Sequence, residues 1–299
     1  MTYIRRLPSF EYVSASTVKE ACAVLSNNKG KVKILAGGTD LLVQMKERKV
    51  VPEYVIGLKQ ISGLNKIEEN GKAGLRIGTL VTHHEIARSP QMQENFTCLA
   101  KACEKIGTPQ VRNLGTIGGN LCNAGPSADS APALLALGAV LTLQTGRGER
   151  QVPLEKFFTG PFSTILEEDE LLTFITIPHL KGKSGSAYHY LTKRTAVDET
   201  LVGAAAALSL KAGDDVCEDV KIGLCSVAPT PIRALKAESK LKGKKLTDGL
   251  IEEASRIASG ESRPRSWAEY RRDMVAVMVK RAVTEAWHRA AANKKGSGK

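Results

Sequence analysis

Two short glycine-rich segments carry the residues best suited to binding chemistry. The first reads Ala36-Gly37-Gly38-Thr39-Asp40, and the second reads Thr116-Ile117-Gly118-Gly119-Asn120. Because glycine has no Cβ, the backbone N–H groups of such a segment can approach an anion closely. Two such segments, each next to an apolar stretch, indicate a ligand with an extended phosphate bridge that is held from two sides.

The residues alone leave a plainer interpretation open for each segment. Residues 32–36 read as a buried strand, and a Gly-Gly pair after a strand is most often an ordinary tight turn. Neither segment matches the G-x-G-x-x-G dinucleotide fingerprint or the P-loop pattern that ends in Gly-Lys-Ser/Thr. Taken singly, each segment is therefore as consistent with a turn as with a ligand site.

Length and composition describe an ordinary globular chain. Its 299 residues suggest two domains or three, and 42% hydrophobic with 25% charged residues is typical of soluble proteins. Apolar runs such as residues 131–143 are broken by glycine and fall short of a membrane span. The N-terminal residues include no apolar signal segment, so we predict a cytoplasmic location without a membrane span.

The charge and the cysteines exclude two classes of function. The net charge of +12 invites a nucleic-acid interpretation, but aromatic residues are only 5% of the chain and no localised basic stripe is visible. We therefore predict no nucleic-acid binding, and a basic face that is solvated or docks an acidic partner. Six cysteines are scattered without C-x-x-C spacing, which predicts reduced, mostly buried thiols and no metal site.

The periodicity of apolar residues predicts the elements around these segments. Thr82-x-x-Glu85 is a capping box that explains His83 and His84 as first-turn helix residues rather than a metal pair. Asn70-Gly71 predicts a hairpin, and residues 181–186 read as a linker. The predicted helices cover residues 16–28, 41–47, 93–106, 130–137, 246–258 and 267–289. The predicted strands cover residues 32–36, 55–58, 64–69, 75–77, 140–144, 171–177, 204–210 and 220–227.

Four ordered signals now give the chain a resemblance to a known family. They are the AGGTD segment after a strand, Val111-Arg112-Asn113-Leu114-Gly115 running into TIGGN, an aspartate nine residues after Asn120, and the pattern of residues 227–234. In this order and spacing, nearly the whole chain resembles the FAD-binding medium subunits of the molybdenum hydroxylases. These include relatives of carbon monoxide dehydrogenase and xanthine dehydrogenase.

The resemblance implies an α+β fold. It consists of two α/β FAD-binding subdomains of the PCMH type, about residues 1–58 and 59–180, and a C-terminal α+β domain. That domain covers residues 186–290, with a small antiparallel sheet and helices, and a tail follows at 291–299. The residues implied to bind FAD are Ile34, Leu35, Ala36, Gly37, Gly38, Thr39, Asp40, Leu41, Ile106, Thr116, Ile117, Gly118, Gly119, Asn120, Asp129, Leu172 and Lys193.

Individual roles follow from the same resemblance. N–H groups around Gly38 and around Gly119 are implied to bind the two sides of the FAD pyrophosphate. Asp129 is implied to accept hydrogen bonds from the cofactor, although a helix N-cap needs the same side chain in nearly the same place. Leu172 matches an apolar residue near the flavin.

Two positions depart from the family pattern. Many relatives have a lysine seven residues before the aspartate that aligns with Asp198, and this chain has Leu191 there, so Lys193 is the nearest substitute. Relatives of carbon monoxide dehydrogenase place an aromatic ring where this chain has Glu199. The contacts of the flavin are expected to differ accordingly.

The implied function is electron transfer within a heteromeric complex. A large subunit with a molybdenum cofactor is expected to hydroxylate the substrate, and a small subunit with [2Fe–2S] clusters is expected to relay electrons to FAD on this chain. The acceptor is NAD, a quinone or ferredoxin, and no catalytic acid, base or nucleophile is expected here. The alternatives are a stand-alone FAD-dependent oxidase or dehydrogenase, and a flavin-free scaffold of the same fold.

Overall fold

The computed structural model describes residues 6–212 and 214–293. The N-terminal part is a three-stranded parallel sheet, in which β3 pairs with both β1 and β2, covered by a helix that Thr17 caps through the N–H of Glu20. In chain order its elements are β1 (Glu11–Ser14), α1 (Val18–Asn27), β2 (Val32–Leu35), α2 (Leu41–Lys46) and β3 (Tyr54–Gly57). The helix and strand predictions for this region are confirmed to within two residues.

A five-stranded antiparallel sheet forms the centre of the second part. Its strands are ordered β4-β5-β10-β6-β7, and the predicted hairpin at Asn70-Gly71 joins the first two. These strands are β4 (Ile67–Glu69), β5 (Leu75–Gly78), β6 (Val140–Thr145), β7 (Gly148–Pro153) and β10 (Leu171–Ile177), and a small ribbon is formed by β8 (Phe158–Gly160) and β9 (Ser163–Thr164).

Short helices lie between β5 and β6 in the chain. They are α3 (His83–Arg88), α4 (Pro90–Asn95), α5 (Thr97–Lys105), α6 (Pro109–Leu114), α7 (Ile117–Asn123) and α8 (Ser130–Ala136). The predicted single helix over residues 93–106 is wrong, because the chain leaves helical geometry at Phe96 with φ −131° and ψ 47°. The Phe96 side chain is fully buried in the core, and that packing breaks the helix.

The C-terminal part is a four-stranded antiparallel sheet with helices on one face. Its elements are β11 (Lys183–Leu191), β12 (Val202–Leu210), β13 (Cys217–Cys225), β14 (Ile232–Arg233), α9 (Leu235–Leu241), α10 (Asp248–Glu261) and α11 (Ala268–Ala292). The predicted linker over residues 181–186 is wrong, since β11 begins inside it and the Ser186 hydroxyl accepts a hydrogen bond from Cys98 N at 3.2 Å. Strand β11 and helix α9 were not predicted.

Strand β12 is buried on both faces, which joins the C-terminal sheet to the rest of the chain. Ala205 and Ala207 belong to the core of the second part, whereas Ala204 and Ala206 belong to the core under α10 and α11. This alternation follows the two-residue period of a strand. The α+β fold class is thereby confirmed, and among the described residues no helix is long and apolar enough to cross a membrane.

Helix α11 packs so closely on β11 that a glycine is required at the contact. A Cβ on Gly185 would lie 2.3 Å from Ala286 O and 2.6 Å from Ala290 N, whereas a Cβ on Gly249 in α10 would meet nothing within 4 Å.

We expect Gly185→Ala to lower the free energy of unfolding by about 2 kcal/mol or more, because backbone atoms must move to admit the methyl group. Gly249→Ala is the matched control, and its better helix propensity should raise stability by up to about 1 kcal/mol. Urea unfolding of both variants measures the contrast, and equal stabilities would contradict this account of the packing.

Candidate functional site

The β2–α2 loop presents a row of backbone donors. The N–H groups of Gly37, Gly38, Thr39 and Asp40 donate no hydrogen bond to any described residue. Gly38 has φ +77°, a left-handed conformation that reverses the chain here, and its carbonyl accepts the Leu42 N–H at 3.1 Å. Four consecutive unpaired N–H groups in a glycine turn form a ready site for an anion.

The structure brings the two glycine-rich segments together. A Cβ on Gly37 would lie 2.1 Å from Leu114 O, so the first segment touches the backbone that leads into the second. A Cβ on Gly119 would lie 3.9 Å from the Cβ of Ala36. The predicted placement of both segments at one site therefore agrees with the geometry.

The second segment is the first turn of helix α7 rather than a loop. Thr116 is its N-cap, and the Thr116 hydroxyl oxygen accepts the Gly119 N–H at 3.1 Å. Gly118 N donates to Thr79 O and Asn120 N donates to Thr116 O, each at 3.0 Å. The expectation that these three N–H groups bind phosphate needs correction, because each already has an acceptor within the protein.

Thr116 is the residue of the second segment that retains donors. Its backbone N–H and its hydroxyl hydrogen donate to no acceptor in the described part of the chain. Ile117 lies behind it, fully buried, with its N–H bonded to Val81 O at 2.9 Å. The donors of the two segments that lack an acceptor among the described residues are therefore those of the first loop together with Thr116.

Asp129 is buried and does not cap helix α8. Its carboxylate accepts no hydrogen bond from the described N–H groups of that helix, so the N-cap alternative is wrong. One oxygen accepts the hydroxyls of Tyr188 and Thr200, both at 2.6 Å, and the other lies 3.4 Å from the Lys105 ammonium. Burial raises the pKa of Asp129, and Lys105 and the hydroxyls oppose the rise.

Five further residues are among those predicted to bind FAD. Ile34, Leu35 and Leu41 flank the first loop and are half-buried. Ile106 is the C-cap residue after α5, and its carbonyl accepts Arg112 Nη1 at 2.9 Å. The side chain of Asn120 accepts the hydroxyl of Ser130 at 2.6 Å.

Leu172 and Lys193 lie in different settings. Leu172 is buried on β10 opposite Leu143. Lys193 is exposed, and its Nζ lies 4.2 Å from the centroid of the Trp267 ring. A cavity of about 500 Å³ between α4, β11 and the end of α11 includes none of the predicted site residues in its lining.

Comparison with known proteins identifies the family. Residues 8–180 match the FAD binding domain in molybdopterin dehydrogenase, and residues 186–286 match the CO dehydrogenase flavoprotein C-terminal domain. The carbon monoxide dehydrogenase medium chain of Hydrogenophaga pseudoflava is 36% identical over 288 residues, which cover 95% of this chain and 99% of that one. This chain belongs to the FAD-binding medium subunits of the molybdenum hydroxylases.

Two further similarities extend the comparison. The glyceraldehyde dehydrogenase medium chain of Sulfolobus acidocaldarius is 35% identical over 284 residues, covering 93% of this chain and 98% of that one. The solved structure of Hydrogenophaga pseudoflava carbon monoxide dehydrogenase that lacks the Mo-pyranopterin moiety has a TM-score of 0.90 at 36% identity, covering 95% of this chain and 99% of that one. The resemblance drawn from the sequence is confirmed.

In this medium subunit, the residues present fit the FAD expected of its family. The unpaired N–H groups of the β2–α2 loop suit a pyrophosphate, and Gly119 adds no side chain where the two segments approach each other at Ala36. The position where relatives have a lysine is occupied by Leu191, the last residue of β11. Glu199 accepts the Ser127 hydroxyl at 2.5 Å, so its carboxylate is held by the FAD-binding domain.

Two residues near the site were not predicted from the sequence to belong to it. Lys105 ends α5 and is buried against Asp129, and its only signal was its place in the last helical turn. His83 is buried beside the first loop, because a Cβ on Gly115 would lie 3.3 Å from the His83 ring and 3.5 Å from the Thr39 hydroxyl. Burial, with a smaller effect of Arg112, lowers the pKa of His83 from 6.5 to about 4.

We expect His83 to make folding stability fall as the pH decreases from 6.5 toward 4. The unfolded chain binds a proton in this range and the folded chain does not, so the loss from pH 7 to pH 5 is about 2 kcal/mol. Urea unfolding of His83→Gln at both pH values should show a decrease smaller by that amount. The same pH dependence in both proteins would refute a neutral buried His83.

Proposed function

We propose that the β2–α2 loop binds the pyrophosphate of FAD through the N–H groups of residues 37–40. The observation that carries this proposal is that all four N–H groups lack acceptors among the described residues while Gly38 turns the chain around them. An anion with several oxygens satisfies such donors, and the absence of Cβ atoms lets the backbone approach it.

The other predicted residues take supporting parts in this proposal. Thr116 supplies its N–H and hydroxyl from the second segment, Gly119 adds no side chain beside Ala36, and Gly118 packs the segment closely against Thr79. Leu172 and Lys193 are proposed to lie toward the flavin. Asp129 is assigned a place behind the site, because its oxygens already accept three donors from the protein. The flanking contacts are assigned to Ile34, Leu35, Ala36, Leu41, Ile106, Ile117 and Asn120.

We propose that the chain holds FAD between two partners in a heteromeric complex. FAD supplies the conversion between one-electron and two-electron transfer. The partners are a large subunit with the molybdenum cofactor and a small subunit with [2Fe–2S] clusters, and the acceptor is NAD, a quinone or ferredoxin. In support, the similar proteins include the medium chains of carbon monoxide dehydrogenase and glyceraldehyde dehydrogenase.

The domain organisation is proposed as predicted from the sequence. Residues 1–180 form the FAD-binding domain and residues 186–290 the C-terminal domain, with support from the matched regions 8–180 and 186–286. The cytoplasmic location stays a prediction. The two alternatives, a stand-alone oxidase and a flavin-free scaffold, are separated from the main proposal by the experiments below.

We expect Gly38→Val to abolish the retention of FAD during purification. Val at φ +77° is strained, and a Cβ there would lie 2.9 Å from a methyl carbon of Leu35, so the donor row must be displaced. Gly243→Val is the control, because it has the same φ in open space within the C-terminal domain. Flavin absorbance per chain is the measurement.

Gly119→Val tests the second glycine-rich segment in the same assay. Its Cβ would lie 2.9 Å from the Thr116 hydroxyl, and its methyl groups would extend into the space beside Ala36. Full flavin content in both site variants would show that the glycines form turns only. A wild-type chain without flavin after loading with FAD would favour the scaffold.

We expect FAD to be released completely into the supernatant by acid precipitation of the purified chain, since all its proposed contacts are non-covalent.

The chain alone should not turn over purines, N-heterocycles, aldehydes, CO or acyl-CoA. Co-expressed large and small subunits should co-purify with it, and substrate should then reduce its FAD under anaerobic conditions. Flavin in the pellet, or full turnover by the chain alone, would favour the stand-alone oxidase.

A further inference from the structure

A buried ammonium group connects helix α5 to a loop of the C-terminal domain. Lys105 Nζ donates to Asp198 O at 2.6 Å and lies 3.4 Å from the Asp129 carboxylate. Its side chain is only 7% exposed, and the centroid of the Tyr190 ring is 5.5 Å away. Burying an ammonium is costly unless it is paired, so this geometry must be held by both acceptors.

The loop that Lys105 contacts comprises residues 192–199, which we term the flavin-side loop. It carries Lys193, Arg194 and Glu199, and its base is closed by the bond from Leu201 N to Leu191 O at 2.8 Å. Within the described residues, its hydrogen bonds to the FAD-binding domain are those from Lys105 to Asp198 O and from Ser127 to Glu199. The second of these is exposed, so the bond from Lys105 is the protected one.

The Asp129 carboxylate accepts hydrogen bonds from residues on both sides of the same loop. Tyr188 lies on β11 before the loop and Thr200 follows it, and both hydroxyls donate to one oxygen of the Asp129 carboxylate. The Asp129–Lys105 pair, both from the FAD-binding domain, therefore contacts the stems and the backbone of the flavin-side loop. Each of these contacts crosses from one domain to the other.

The conformation of the loop itself shows that it is held. Val197 has φ +48° and is exposed, although a β-branched residue strongly disfavours the left-handed region. Its carbonyl accepts Arg194 Nη2 at 3.0 Å, and the next carbonyl is the one that Lys105 binds. Strain of this kind persists only where surrounding contacts determine the backbone.

We propose that Lys105, supported by Asp129, is a positioning residue that fixes the flavin-side loop against the FAD-binding domain. The inference rests on the proposed FAD site, because the loop carries Lys193 toward the flavin. Through the loop, Lys105 controls how tightly FAD is held and how far the flavin is exposed to solvent. In this proposal Lys105 acts on the cofactor only through the loop.

The test compares three variants with the wild-type full chain. Lys105→Met removes the ammonium but keeps a long side chain. Lys105→Met with Asp129→Asn also removes the carboxylate that would otherwise stay buried without its cation. Lys101→Met is the matched control, because Lys101 lies one turn earlier on α5 in an exposed ion pair with Glu104.

Limited trypsin digestion reports the loop directly, since Lys193 and Arg194 are exposed cleavage sites within it. We expect cleavage there to be about 10- to 100-fold faster in both Lys105 variants, the factor for losing a hydrogen bond from a buried charge. The same variants loaded with FAD should release it at least about 10-fold faster, and iodide should quench their flavin fluorescence more strongly. Lys101→Met should match the wild type in all three measurements.

Each other outcome has a definite meaning. Unchanged cleavage in the Lys105 variants overturns the proposal. Recovery of resistance in the double variant also overturns it, because the single variant would then report only an unpaired Asp129. Faster cleavage with unchanged FAD release and quenching overturns the link to the cofactor. If the wild type binds no FAD, the proposed function fails, whereas digestion of the flavin-free chain still decides the role of Lys105 in the loop.

Discussion

The contact between Gly37 and Leu114 is the constraint on which the candidate site depends. A Cβ on Gly37 would lie 2.1 Å from Leu114 O, a distance that no side chain can meet, so backbone touches backbone there. The core of the N-terminal sheet also includes Leu80 and Leu171 of the second part, and the contact between Gly37 and Leu114 places the two glycine-rich segments side by side. The unpaired donors of residues 37–40 are therefore positioned by packing before any ligand arrives.

Much of the fold was predictable because it follows from local patterns. The capping box of Thr82 and Glu85 forms as expected, and the hairpin at Asn70-Gly71 joins β4 to β5. The meeting of the two glycine-rich segments was also predicted, from their composition and from the family resemblance. For the capping box and the hairpin, the residues that determine the structure lie within a few positions of it.

The predictions that were wrong involve partners far away in the chain. The helix break at Phe96 comes from burial of its ring, and the strand at Gly185 is hidden because α11 demands a small residue there. Asp129 reads as an N-cap in sequence, but its acceptors are satisfied by Tyr188 and Thr200 of the other domain. The helical state of Gly118 was equally hidden, since glycine disfavours helices and the close packing against Thr79 is tertiary.

The chemistry near the site favours binding and electron transfer over acid–base or covalent catalysis. His83 stays neutral at physiological pH because burial lowers its pKa to about 4, so it does not act as a general acid there. Away from the site, burial raises the pKa of the Cys98 and Cys217 thiols to about 12, which leaves almost no reactive thiolate at either position. The described site therefore offers N–H donors without protein acceptors and a loop held by a buried charge. Such a site binds and orients a cofactor, and the redox chemistry is then the cofactor's own.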